Sequence, residues 1–171
     1  MTRMTTTGRA LARALAAVLP LLATTGFPAI PPSPARAAET DACTGPVSDV
    51  RLFVTVSNVR SAKGLVAVTL YADDRHRFLA HHGSLYVGRV PAVAPVTRVC
   101  IHVPATGIYA LAVYHDEDGN RKFKRTIFGL PAEGYAFSNN ASTFLGLPSF
   151  GAVRFAVPRS GTETSVRLKY P

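Results

Sequence analysis

Residues 96–115 read VTRVCIHVPATGIYALAVYH. Across Val96–Val103 apolar and polar side chains alternate, with Val99, Ile101 and Val103 on one side and Arg98, Cys100 and His102 on the other. Period two marks a half-buried strand, because successive side chains leave a pleated backbone on opposite faces. Pro104-Ala105-Thr106-Gly107 breaks the pattern as a turn, and Ile108–His115 resumes as a second, more apolar strand. Two strands separated by four turn residues predict a hairpin with Val103 opposite Ile108 and His102 facing Tyr109. His115 then lies roughly 20 Å along the strand from His102, too far for the two to share a metal ion.

Outward from this pair the same pattern recurs. Arg51–Ser57 sends Leu52, Val54 and Val56 one way and Arg51, Thr55 and Ser57 the other, with Phe53 a misfit on the polar side. Asn58–Gly64 supplies a turn. Leu65–Tyr71 is apolar on both faces, as a central strand is. Ala72–Gly83 is either a helical turn over Phe78 and Leu79 or a loop. Ser84–Val90, Ala152–Val157 and Thr164–Tyr170 complete a set of seven short strands punctuated by Gly and Pro. With no amphipathic helix among them, they predict an all-β fold, an antiparallel β-sandwich of about seven strands over residues 50–171. The chain has no Trp, so the Cys-Trp-Cys spacing of an antibody-type immunoglobulin-like domain is missing.

Residues 1–37 read as a cleaved export signal. Arg3, Arg9 and Arg13 precede an uncharged apolar run over 14–23, and Ala35-Arg36-Ala37 has the form of a cleavage site. That run is too short to span about 30 Å of hydrocarbon as a membrane anchor, so the mature chain would carry no transmembrane segment, and the protein would be periplasmic or secreted. Four of the 19 Lys and Arg, and none of the ten Asp and Glu, precede residue 38. The remainder carries fifteen against ten, a net of +5. Residues 38–49 read as an extended arm bearing Cys43. An even pair of cysteines in an oxidising compartment points to a Cys43–Cys100 disulfide, the outward face of Cys100 being open to the arm. The alternatives are two free thiols or a catalytic cysteine.

The stretch from Gly107 to Phe150 carries the unusual chemistry. Asp116, Asp118 and Asn120 offer side-chain oxygens at alternate positions, as a calcium loop begins. The sharp-turn Gly falls one place early at Gly119, no bidentate Glu follows, and Arg121, Lys122, Lys124 and Arg125 crowd the site with positive charge. The competing reading is a turn stabilised by Asp and Asn side chains. His115, Asp116 and Glu133 would serve a hydrolase-type enzyme, although no G-x-S-x-G elbow accompanies Ser138. Glu133, Tyr135, Ser138, Asn139 and Asn140 are binding candidates within a long, ordered loop over residues 115–150. A segment of that length without a period is uncommon unless functional. Its six large aromatics, Phe123, Phe128, Tyr135, Phe137, Phe144 and Phe150, argue against disorder. Two short echoes also stand in it, Phe128-Gly129-Leu130-Pro131 and Leu145-Gly146-Leu147-Pro148.

Gly107-x-Tyr109-Ala110, His115–Asn120, Phe128–Pro131, Glu133–Asn140 and Pro148-Ser149-Phe150 together resemble a bacterial secreted-domain family catalogued as domain of unknown function 2141. The resemblance spans roughly residues 50–170. It implies a secreted β-sandwich of prealbumin-like type and brings no established activity with it. Family members usually follow the acidic cluster with a Gly and a further acidic residue, where this chain has Arg121 and Lys124. The expectation is thus an exported, non-enzymatic β-sandwich module, binding or structural in the cell envelope through residues 115–150. A hydrolase or a calcium-stabilised domain is the alternative; otherwise no cofactor is implied. The basic run Arg121–Arg125 reads first as a solvated loop; as a binding patch in an exported protein, which seldom meets nucleic acid, it would take an anionic glycan or lipid.

Overall fold

A computed structural model describes residues 43–171. The leader read over 1–37 and the first residues of the arm lie outside the described residues. The described residues form ten strands, three of them very short, and eight of the ten make up two packed sheets. The first sheet holds β1 (Val50–Ser57), β4 (Val96–Val103) and β10 (Thr162–Arg167) in the order β10-β1-β4. The second holds β2 (Leu65–Ala72), β3 (Tyr86–Pro91), β5 (Gly107–Asp116) and β6 (Gly134–Phe137) in the order β3-β2-β5-β6. On the same side as β6, but at the other end of β5, lies β9 (Phe155–Val157), pairing Gly107–Tyr109. Thr143–Phe144 (β7) and Leu147–Pro148 (β8) form a small separate hairpin.

The alternating faces are those read from the sequence. Leu52, Val54, Val56, Val99, Ile101 and Val103 point inward from one sheet and meet Val66, Val68, Leu70, Leu111 and Val113 from the other. β2 is buried on both faces, because the outer side of its sheet has a cover of its own. Phe78 and Leu79 from the 72–85 loop, Phe137, Phe150 and Val153 pack there over Tyr71 and Ala110. Phe150–Val153 is a single helical turn, α1, which takes the first two residues of the strand expected over Ala152–Val157, and β9 keeps its last three.

Two pairings differ from the sequence expectation. β4 and β5 are not a hairpin: β4 pairs with β1, putting His102 opposite Arg51, and β5 pairs with β2, putting Tyr109 opposite Ala72. The turn at Pro104–Thr106 carries the chain from one sheet to the other, and the Tyr109 hydroxyl donates to the Ala105 carbonyl at 2.9 Å to brace the corner. Full-length neighbours outcompete the local hairpin because every inward side chain then stays in the core. The sandwich is also not wholly antiparallel, since β1 and β10 run parallel. After Arg167 the chain leaves that sheet, and Lys169 exchanges backbone hydrogen bonds with Tyr135 beside β6.

The arm is tied to the free edge of β4. Cys43 and Cys100 form a disulfide with Cα atoms 4.4 Å apart, and Thr44 bonds through its backbone to Cys100 and His102. Among the described residues no helix is long and apolar enough to cross a membrane.

Candidate functional site

β5 ends on a turn that its last residue organises. Asp116 is buried, and its two carboxylate oxygens accept the backbone N–H groups of Asn120 at 3.1 Å and Arg121 at 2.6 Å. Asp118 accepts from the Asn120 backbone and side-chain amides and forms an ion pair with Lys124. Asn120 Oδ1 in turn accepts the Lys122 N–H. A carboxylate that receives successive amides in this way closes a turn as a backbone carbonyl would.

Glu133, fifteen positions after Asp118, comes back to the same place. One carboxylate oxygen from each of Asp116, Asp118 and Glu133 lies within 4.8 Å of the others. Glu133 Oε2 accepts the Lys124 N–H at 3.1 Å. Burial holds the Glu133 carboxyl above its ordinary pKa, and the nearby Asp116 and Asp118 charges push the same way, against the Lys124 amide. The Lys124 ammonium holds Asp118 below the usual carboxylate range and is itself raised by that partner. The carboxylate group is therefore Asp116, Asp118 and Glu133, and Asn120 serves as its internal bracket. Three carboxylate oxygens are about half of what a calcium ion takes, so water would have to complete the shell. Lys124 already supplies a cation there.

The other candidates divide between brackets and surface. His115 is fully buried. Its Nε2 lies 2.9 Å from the Lys63 carbonyl, which can only accept, so Nε2 carries the proton, and Nδ1 accepts the Tyr170 hydroxyl at 2.8 Å. Neither nitrogen is free for a base or a metal. Ser138 Oγ accepts the Leu111 N–H and donates to the Val153 carbonyl, and is also buried. Asn139 bonds the carbonyls of Ala152 and Arg154, and Asn140 bonds Ser165 and Arg167, clipping β9 and β10 to the end of β6. Tyr135 stands in an aromatic row with Tyr114, Phe123 and Phe137 on the outer face of the second sheet.

A feature that reading for polar chemistry missed lies in the two glycine echoes. Each makes a tight reversal. Thr126–Gly129 turns with Gly129 at φ 77°, and Leu145-Gly146 turns with φ 49° and 79° between β7 and β8. The two reversals touch, since a Cβ added to Gly146 would stand 2.6 Å from the Pro131 ring. Their tips leave large apolar side chains in solvent: Ile127 is 94% exposed, Phe128 84%, Phe144 81% and Leu145 66%. The repeated Gly-Leu-Pro with an apolar residue before it was the available signal.

A family model described as an uncharacterized protein conserved in bacteria, DUF2141, matches residues 54–166. The chain belongs to the DUF2141 family. No curated protein and no solved structure matches it. In this DUF2141 protein the match runs from the middle of β1 to near the end of β10, so it takes in both sheets, the carboxylate group and both exposed tips.

Proposed function

We propose that this DUF2141 chain is an exported, non-enzymatic binding module of the cell envelope, with residues 115–150 as its working surface. The observation that carries the reading is the pair of adjacent turns with Ile127, Phe128, Phe144 and Leu145 in solvent. An isolated exposed apolar side chain is ordinary, but a contiguous group of large ones on protruding tips marks a contact surface. The residues able to do chemistry point the same way by being occupied: His115 and Ser138 are bonded within the core, and Asp116 closes its own turn. Export through a leader at 1–37, to the periplasm or the medium, is supported by the Cys43–Cys100 disulfide, a bond kept in oxidising compartments.

A photo-crosslinking side chain at Phe128 or Phe144, in protein expressed and exported by its host, tests this reading. Adducts with envelope components at both positions, and none at Val93 on a different loop, are the expected result. An adduct pattern no richer at the tips than at Val93 overturns it.

A second reading, a domain stabilised by calcium, is favoured by the grouping of Asp116, Asp118 and Glu133. Calcium would then raise the melting temperature of the wild type and not of Glu133→Gln.

A further inference from the structure

We infer that the partner of this surface is the anionic phospholipid bilayer, entered by the two turn tips; the inference rests on the working-surface reading above and specifies its ligand. Ile127 and Phe128 on one and Phe144 and Leu145 on the other project from neighbouring reversals that meet at Gly146 and Pro131. Ile and Leu side chains offer no hydrogen bonds, so they are poor contacts for a glycan, which is held by flat aromatic faces and polar groups. They suit the boundary between headgroups and acyl chains, where apolar side chains leave water while cations remain at the phosphates.

The charge around the tips has the matching sign. Arg121, Lys122 and Arg125 are exposed and, among the described residues, none forms an ion pair with a carboxylate. Arg125 lies across the base of the first tip, donating to the Gly129 carbonyl at 2.9 Å. The carboxylates of the same segment are turned to other uses. Asp116 and Glu133 are buried, Glu117 is paired with Arg60 and Asp118 with Lys124. The surface that meets the membrane is thus apolar at its two points, with Arg125 at the base of one and Arg121 and Lys122 exposed a few residues earlier in the same segment. Both parts contribute: apolar insertion gives depth, and each Lys or Arg near an anionic leaflet strengthens binding.

The chain has no Trp, so Phe128→Trp places a single reporter on a tip and Phe53→Trp places one on the outer face of the first sheet. The probe is a vesicle of phosphatidylcholine alone or with phosphatidylglycerol, added to protein recovered from an exporting host. The expected result is a blue shift of the Phe128→Trp emission with phosphatidylglycerol vesicles, weakened by salt, and no shift for Phe53→Trp. In flotation, Ile127→Ser with Phe128→Ser should weaken partitioning on the order of a hundredfold. Phe144→Ser with Leu145→Asn should do the same, the Asn retaining the positive φ of that position. Arg121→Gln and Lys122→Gln should each cost about fivefold. All these side chains are exposed, so thermal unfolding checks that the variants remain folded. Absence of a tip shift, or flotation indifferent to both tip variants, overturns the inference. If crosslinks at Phe128 then still capture an envelope protein or glycan, only the lipid assignment has failed. If those crosslinks are absent too, the working-surface reading fails with it.

Discussion

The Tyr170 hydroxyl donates to Nδ1 of His115 at 2.8 Å, joining the penultimate residue of the chain to the end of β5. The same oxygen accepts the Arg60 backbone N–H at 3.1 Å. The Arg60 guanidinium lies over the Tyr170 ring, 4.5 Å from its centroid, and pairs with Glu117 just past β5. One side chain thereby fastens the β1–β2 turn, the end of β5 and the C-terminal segment. Burial holds the Tyr170 phenol above its ordinary pKa, so it stays a donor at neutral pH.

Tyr170→Phe removes that donor and leaves Nδ1 of a fully buried histidine without a partner. A loss of about 1–3 kcal/mol is expected, the cost of stranding a buried polar group. Urea unfolding of the two proteins measures it. A variant as stable as the wild type would show that water replaces the phenol.

Gly134 should be intolerant because the same tyrosine packs against it. It pairs with His115 across β5 and β6, and a Cβ on it would collide with the Tyr170 ring. Gly134→Ala is expected to cost roughly 1–3 kcal/mol through overpacking. In a Tyr170→Ala background most of that cost should vanish, because the colliding ring is gone. Equal costs in both backgrounds would place the strain elsewhere.

The raised Glu133 carboxyl makes a pH prediction with a definite sign. Between the ordinary glutamate value, about 4.3, and its own raised value, the folded chain holds a proton that the unfolded chain has released. Stability therefore falls as pH rises through that window and is flat, for this group, on either side. Glu133→Gln does not titrate there. Its stability relative to wild type should grow with pH across the window and then level off. Asp118, lowered by Lys124, acts in the opposite sense and at lower pH, where its contribution is lost as pH falls. Urea unfolding across a pH series separates the two.

Cys43→Ser with Cys100→Ser frees the arm from the edge of β4. The bridge closes 56 intervening residues, a sequence separation of 57, and the chain-entropy account gives roughly 4 kcal/mol for such a loop. The backbone bonds of Thr44 to Cys100 and His102 should then exchange amide hydrogens far faster than the Leu52–Val56 core of β1. Unchanged protection at Thr44 would show that the arm docks without its covalent tie.

Strands β1 to β5, and the inward residues of β1 and β4, could be read from the sequence because alternation is local: the period of the pleat is written into neighbouring side chains. The disulfide was legible because an even pair of cysteines has only one partner each. In the 115–150 segment legibility fell away. Gly134–Phe137 is a strand of four residues, too short for a period, and it is defined by its pairing with Ala112–His115. Glu133 could be named a candidate, but its place beside Asp118 depends on how the intervening basic loop returns.

The sequence by itself determined that this chain makes sheets, which side of β1 and of β4 is apolar, and that Asp116 is followed by a turn. All three follow from residues a few positions apart, whose backbone preferences act before any tertiary contact forms. Only the tertiary structure decided that β4 and β5 part company, that β10 lies parallel to β1, and that Glu133 joins Asp116 and Asp118 under Lys124. It also set the two Gly-Leu-Pro turns side by side. Each of these is a choice among distant partners, and for the strand pairings it is settled by which arrangement buries the most apolar surface while leaving the backbone bonded.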